Sequence, residues 1–248
     1  MTQNMTEPVR LAKRVAEMLA CSRREAEQYV EGGWVRVDGK VIETPQFKVL
    51  DHRVEIDAQA KLAPVVPVTL LLHKPAGFDF SGEGRSASQL LQPENRAKTD
   101  LSGMRLVQRH LFQQVCVTPL ETAATGLLVF TQDYPIRRKL LEDAALVENE
   151  VTVEVRGEVD QAALHSLNRA PVIDGRAMLP AKVSINSQTD SVTGLRFAIK
   201  GSLPGQIAQM CDKAGIAILS MKRIRVGRVP LAGLLPGQWR YLLPYERF

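Results

Sequence analysis

The basic side chains of this sequence fall into groups whose spacing says more than their number. Arg10 and Arg14 stand four residues apart, so a helix there carries both on one face, with Lys13 adjoining. Arg23 and Arg24 fall in the first turn of a second helix, beside backbone N–H groups that also attract phosphate. Arg36 and Lys40 flank a tight turn. Two helix faces and a turn could therefore form one phosphate-binding surface. The same spacing fits ordinary solvated charge, and spacing alone does not separate the two. A second group, Lys222, Arg223, Arg225 and Arg228 with Arg240 beyond, reads as a strand that points Arg223 and Arg225 to one face and Lys222 to the other. Charge of that kind also protects an edge strand. Arg137, Arg138 and Lys139 read as a solvated helix face.

Metal and thiol chemistry find little support. Cys21, Cys116 and Cys211 are far apart with no CxxC pair, the usage of reduced thiols. His52, His73, His110 and His165 are equally scattered, whereas metal sites need clustered ligands. No cofactor is expected.

The elements that would position these groups follow from periodicity. Leu11, Val15, Met18 and Leu19 recur at helical spacing. Ser22 caps a second helix, Glu25 completes a capping box, and Gly32-Gly33 ends it. Residues 34–37 alternate as a strand, Asp38-Gly39 turns, and residues 40–42 return. Residues 61–68, with two prolines and no period, read as a linker. That places one small domain at 1–60 and a larger one at 69–248. In the second, residues 69–72 and 126–131 are apolar runs of buried-strand length, and 151–155 alternate as a half-exposed strand. Residues 136–145 and 206–214 read as helices, and 216–219 as a strand. Strands outnumber helices without regular alternation, so the fold class is α+β with a mixed or mostly antiparallel sheet.

Bulk properties agree. The 248 residues are 45% hydrophobic and 24% charged, ordinary globular composition. A formal net charge of +5 fits a polyanionic partner. No apolar stretch approaches the roughly 20 residues that span a bilayer. Met1 to Pro8 is polar and lacks a signal core, so the expectation is a cytoplasmic monomer with no membrane partner.

Two stretches carry a family resemblance. V-R-L-A-K-R-V-A followed by C-S-R-R-E-A-E-Q-Y-V-E-G-G-W-V-R-V-D-G-K closely resembles the alpha-L RNA-binding module first known from a small-subunit ribosomal protein, over Val9 to about Ile56. The resemblance implies contact with structured RNA, ribosomal RNA above all, through Arg10, Lys13, Arg14, Ser22, Arg23, Arg24, Arg36 and Lys40. The larger region looks like the RsuA/RluF-type pseudouridine synthase domain. Leu72-His73-Lys74-Pro75-Ala76-Gly77 is similar to that family's opening turn. Residues 221–227 and Gly233-Leu234-Leu235-Pro236-Gly237-Gln238-Trp239-Arg240 are close to its terminal signature. The domain order also matches, and Lys74, Lys222, Arg223 and Arg225 become further candidates for gripping RNA.

Such enzymes convert uridine to its C-glycoside isomer without a cofactor, using an aspartate in a G-R-L-D segment. Moving uracil on its ribose calls for a carboxylate beside the sugar, as nucleophile or charge stabiliser. By the resemblance, Thr118-Pro119-Leu120-Glu121 occupies that segment, so the aspartate is replaced by Glu121 and its arginine neighbour by Pro119. No aspartate lies between Val107 and Gln132. The family's active-site tyrosine and lysine fall on Val151 and Asn149, and three arginines on Gly205, Ala208 and Gln209. Misplacing a catalytic group by about 1 Å can cost on the order of a hundredfold in rate. The expectation is an RNA-binding member with impaired isomerisation. The alternatives are a wholly non-catalytic assembly factor and a working enzyme in which Lys74 or Arg225 holds the Glu121 carboxylate.

Overall fold

The structure is a computed structural model that describes residues 7–80, 84–173, 175–201 and 203–248. The polar leader Met1 to Thr6 lies outside the described residues. Two compact units divide the chain: one comprises the chain up to Pro67 together with Arg105–Gln113, the other Val68–Met104 and Gln114–Phe248.

The first unit begins with strand β1 (Val9–Arg10), helix α1 (Leu11–Leu19) and helix α2 (Arg23–Glu31). Ser22 caps α2 as its sequence requires: its hydroxyl accepts from the Glu25 N–H, and the Glu25 carboxylate accepts from the Ser22 N–H at 2.8 Å. Strands β2 (Val35–Val37) and β3 (Lys40–Val41) form the hairpin, with Asp38 and Gly39 both at positive φ, 49° and 79°. Strand β4 (Lys48–Val49) pairs with β1, and β5 (Val54–Ile56) pairs with the other edge of β2. The apolar stripes of α1 and α2 meet the inward faces of the strands, burying Leu11, Val15, Ala26, Val30, Val35 and Val37 together.

A stretch remote in sequence completes this unit, a return that the division at residues 60 and 69 does not foresee. Arg105 stacks on the Trp34 ring, 4.1 Å from its centroid, and reaches the Asp57 carboxylate at 3.4 Å. Arg109, on the short helix α3 (Gln108–Leu111), pairs with Glu31 at 2.8 Å. The attachment rests on long polar side chains rather than on apolar period, so the sequence carries no pattern announcing it.

The second unit is a mixed sheet. Its members are β6 (Thr69–Lys74), β7 (Val115–Cys116), β8 (Thr125–Thr131), β9 (Glu148–Arg156), β12 (Lys182–Gln188), β13 (Val192–Lys200), β14 (Ile218–Val226), β15 (Val229–Pro230) and β16 (Trp239–Tyr241). A separate two-stranded ribbon is formed by β10 (Val172–Ile173) and β11 (Arg176–Ala177). The order across the large sheet is β12-β13-β9-β14-β8-β6-β16, with β15 on β14 and β7 on β8. Among the described residues every strand pair in it is antiparallel except β8 with β14. Helices α4 (Tyr134–Leu141), α5 (Gln161–Leu167) and α6 (Gln206–Lys213) complete the unit, and Asp133 caps α4 through the Ile136 N–H. The apolar runs at 69–72 and 126–131 are the buried central strands, as their composition indicates. The strand expected at 216–219 instead starts at Ile218 and runs to Val226, taking in the basic cluster.

The parallel contact requires glycine. Gly126 has φ +121°, and a Cβ there would lie 2.3 Å from the Arg223 carbonyl oxygen and 2.5 Å from its nitrogen, both backbone atoms. Gly126→Ala is expected to destabilise the chain by about 2 kcal/mol or more, as overpacked cores do. A urea-unfolding midpoint unchanged from the parent would contradict this.

Candidate functional site

The loop carrying Glu121 is held by its backbone, through two buried cations. Lys74, at the end of β6, is fully buried. Its ammonium donates to the carbonyls of Ala124 at 2.6 Å, Phe78 at 2.9 Å, Pro75 at 3.1 Å and Thr122 at 3.2 Å. These bonds tie the 75–78 turn to the loop, assisted by the Gly77 N–H donating to the Thr122 carbonyl. Arg223, 3% exposed, donates from Nε to the Leu127 carbonyl at 2.8 Å and from its two terminal nitrogens to the carbonyls of Pro119 and Thr118. Burial draws the Lys74 ammonium down to about 8, opposed by the Glu121 carboxylate. It draws the Arg223 guanidinium down to about 10, opposed by Cys116 and Glu121. Both remain mainly cationic at neutral pH.

Glu121 itself is half-buried and forms no ion pair among the described residues. One carboxylate oxygen accepts the backbone N–H of Gly205 at 2.5 Å. Gly205 precedes α6 with φ +84°, a conformation that suits glycine. Of the other positions the resemblance singles out, Val151 and Asn149 are buried on β9, and the Asn149 side-chain oxygen has no hydrogen-bond partner among the described residues. Asn149 shares a cavity of about 170 Å³ with Thr118, Pro119, Leu203 and Arg223. On α6, Ala208 and Gln209 are exposed while Ile207 and Met210 are buried.

The basic candidates separate into two kinds. Lys74 and Arg223 are corrected from RNA grips to internal struts: neither reaches solvent, and their donors are occupied by carbonyls. Arg225 is likewise committed, to Glu148 and Glu150 at 2.8 Å each and to the Gly227 carbonyl. It therefore does not hold Glu121. A register shift between Arg223 and Arg225 breaks the alternation that would have put them on one face. Lys222, half-buried, has no carboxylate partner among the described residues, and Arg228 is exposed. In the first unit, Arg10, Lys13, Ser22, Arg23, Arg24, Arg36 and Lys40 are exposed, and Arg14 is half-buried. Arg23 pairs with Glu27 at 3.0 Å, and Arg36 donates to the Gly39 carbonyl at 3.2 Å. Arg10, Lys13, Arg24 and Lys40 meet no carboxylate among the described residues.

The contribution of Gly205 comes from a backbone N–H, which residue type does not advertise. Its only sequence signal is a glycine just before a helical run. Cys21, Cys116 and Cys211 are free, and no group of three or more His, Cys, Asp or Glu residues suited to a metal ion occurs among the described residues. Among the described residues no helix is long and apolar enough to cross a membrane.

Comparison with known proteins agrees with this architecture. The sequence model of the S4 domain family matches residues 9–54. A crystal structure of a pseudouridylate synthase superposes with a TM-score of 0.59 at 18% identity, covering 94% of this chain and 96% of that one. An S4 domain followed by a pseudouridylate synthase fold defines the class. The chain is 25% identical over 240 residues to ribosomal large subunit pseudouridine synthase B of Bacillus subtilis (strain 168), covering 96% of this chain and 93% of that protein. It is 27% identical over 252 residues to the dual-specificity RNA pseudouridine synthase RluF of Escherichia coli (strain K12), covering 96% and 77%. It spans 55% of the length of SVR1, a chloroplast relative from Arabidopsis thaliana, at 27% identity. Over nearly its whole length the chain is thus similar in sequence to RNA pseudouridine synthases of the RsuA/RluF type.

Removing the Lys74 ammonium leaves several buried carbonyls without a donor, each costing about 1–3 kcal/mol. Lys74→Met is therefore expected to lower stability by at least about 3 kcal/mol, and Lys222→Met by under about 0.5 kcal/mol. Equal thermal shifts for the two variants would refute the internal role of Lys74.

Proposed function

We propose that this chain binds structured RNA, ribosomal RNA foremost, through the exposed basic face of its S4 unit, and that it does not isomerise uridine at an enzymatic rate. The RNA assignment is supported by the cations Arg10, Lys13, Arg24 and Lys40, which are exposed and unneutralised by neighbouring carboxylates. The relatives named for RNA modification support the same class of ligand.

The observation that carries the second half is the state of Glu121. Its carboxylate hangs one methylene further from the backbone than an aspartate would, and it accepts the Gly205 N–H. A hydrogen bond to the charged form stabilises the carboxylate in the ground state and lowers its readiness to attack. Arg223, which could have paired with it directly, holds backbone carbonyls instead. Val151 offers neither an aromatic face for a flipped base nor a hydroxyl for proton transfer. The scaffold retains its packing and turns while the reacting groups are changed.

Two measurements test these statements separately. Replacing both Arg23 and Arg24 by alanine is expected to weaken binding to rRNA fragments and to flatten its dependence on salt, since each phosphate contact contributes to that slope. Unchanged affinity and slope would remove the S4 face from the binding site. For the chemistry, pseudouridine is mapped on rRNA fragments after incubation with the chain and with Glu121→Gln. No new pseudouridine is expected from either. A site formed by the parent and lost in Glu121→Gln would establish Glu121 as a working nucleophile and overturn the proposal.

A further inference from the structure

The first unit contains a pocket of about 320 Å³ between α1, the start of α2 and the turn at Pro45–Gln46. Ala12, Ala16 and Pro45 give it apolar walls. Arg10, Lys13 and Arg23 line it as well; Glu27, also in the lining, pairs with Arg23 at 3.0 Å, which leaves the positive charge of Arg10 and Lys13 in excess. Arg10 and Lys13 are exposed and unpaired with any carboxylate among the described residues. The pocket is built into the backbone. The Ala12 N–H donates to the Pro45 carbonyl at 3.1 Å and the Leu11 N–H to the Phe47 carbonyl at 2.7 Å, locking the turn against the helix. These bonds also occupy N–H groups at the start of α1 that would otherwise attract a bare phosphate.

An apolar hollow flanked by cations matches a flat, uncharged ring that carries negative charge on either side. A nucleobase within its phosphodiester chain has that form. A base in an A-form duplex is stacked and out of reach, whereas one in a bulge or loop can be splayed out and buried against side chains. We propose that this pocket receives one unpaired nucleobase of the bound RNA, with the phosphates on either side of it meeting Arg10 and Lys13. The inference rests on the RNA-binding reading and deepens it. The S4 unit would then select RNA by an interruption in the helix as well as by charge.

The full-length chain is titrated against two labelled RNA hairpins that differ by a single bulged nucleotide, over a range of salt. The bulged hairpin is expected to bind about tenfold more tightly, in the range of one base buried against a protein surface. With 2-aminopurine as the bulged base, its emission should change on binding. Ala16→Leu fills the pocket at a helical position where leucine is well tolerated. It is expected to bring the bulged hairpin to the affinity of the paired one, leaving the paired hairpin's affinity and salt slope as they were. Arg10→Ala with Lys13→Ala should weaken both hairpins. Equal binding of the two hairpins by the parent chain, or no change in 2-aminopurine emission, overturns the base pocket and leaves phosphate binding standing. A folded Ala16→Leu chain that loses both hairpins equally also overturns it. Binding of neither hairpin by the parent overturns both the pocket and the RNA reading.

Discussion

The close passage of β8 past β14 at Gly126 is the constraint on which the candidate site depends. Among the described strand pairs this one alone runs parallel, and only without a Cβ can the two strands approach so closely. That approach brings the Arg223 guanidinium, enclosed by protein, within reach of three carbonyls: one on β8 itself and two on the segment leading to Glu121. A buried charge without partners is costly, so the guanidinium and the loop stabilise each other's placement. Lys74 acts in the same way from β6, on the far side of β8, through four further carbonyls.

Because both cations bind backbone oxygens, the loop's course is indifferent to most of its side chains. Every residue carries a carbonyl, so Thr118, Pro119, Thr122 and Ala124 can serve whatever their type. The course of the loop that carries Glu121 is therefore set by carbonyls rather than by the side chains beside it. Proline at 119 removes a donor and a charge, but its carbonyl still receives Arg223. The packing positions are consistent with this: Ile207 and Met210 keep α6 seated while the exposed Ala208 and Gln209 between them carry no charge.

What the sequence made legible follows from where local pattern and tertiary structure agree. The capping box at Ser22 and Glu25, the Asp38-Gly39 turn, and the apolar runs of β6 and β8 are local signals that the fold uses directly. Strand β13 carries a clear alternation in Thr193, Leu195, Phe197 and Ile199, all buried, yet its partner β12 at the sheet edge has almost none. The return of Arg105–Gln113 to the first unit depends on the long side chains of Arg105 and Arg109, with partners far away in sequence, which no period encodes. Charge type misled most. Lysine and arginine read as surface groups by default, and only the three-dimensional supply of carbonyls distinguishes Lys74 and Arg223 from Arg10 and Lys13.

Gly205 and Glu121, far apart in sequence, meet in one hydrogen bond. The resemblance puts an arginine at position 205 and an aspartate at 121; here they are glycine and glutamate. Gly205 takes up φ +84°, which disfavours a side chain, and thereby turns its N–H toward the carboxylate. The longer arm of glutamate spans the distance to that N–H. An arginine at 205 would supply a mobile cation, whereas the glycine supplies a fixed dipole. A fixed dipole can hold an anion in place, but it cannot follow charge as it moves between carboxylate and sugar. The pair closes the loop that carries Glu121 onto the start of α6, and it does so through a backbone group whose direction the glycine conformation sets.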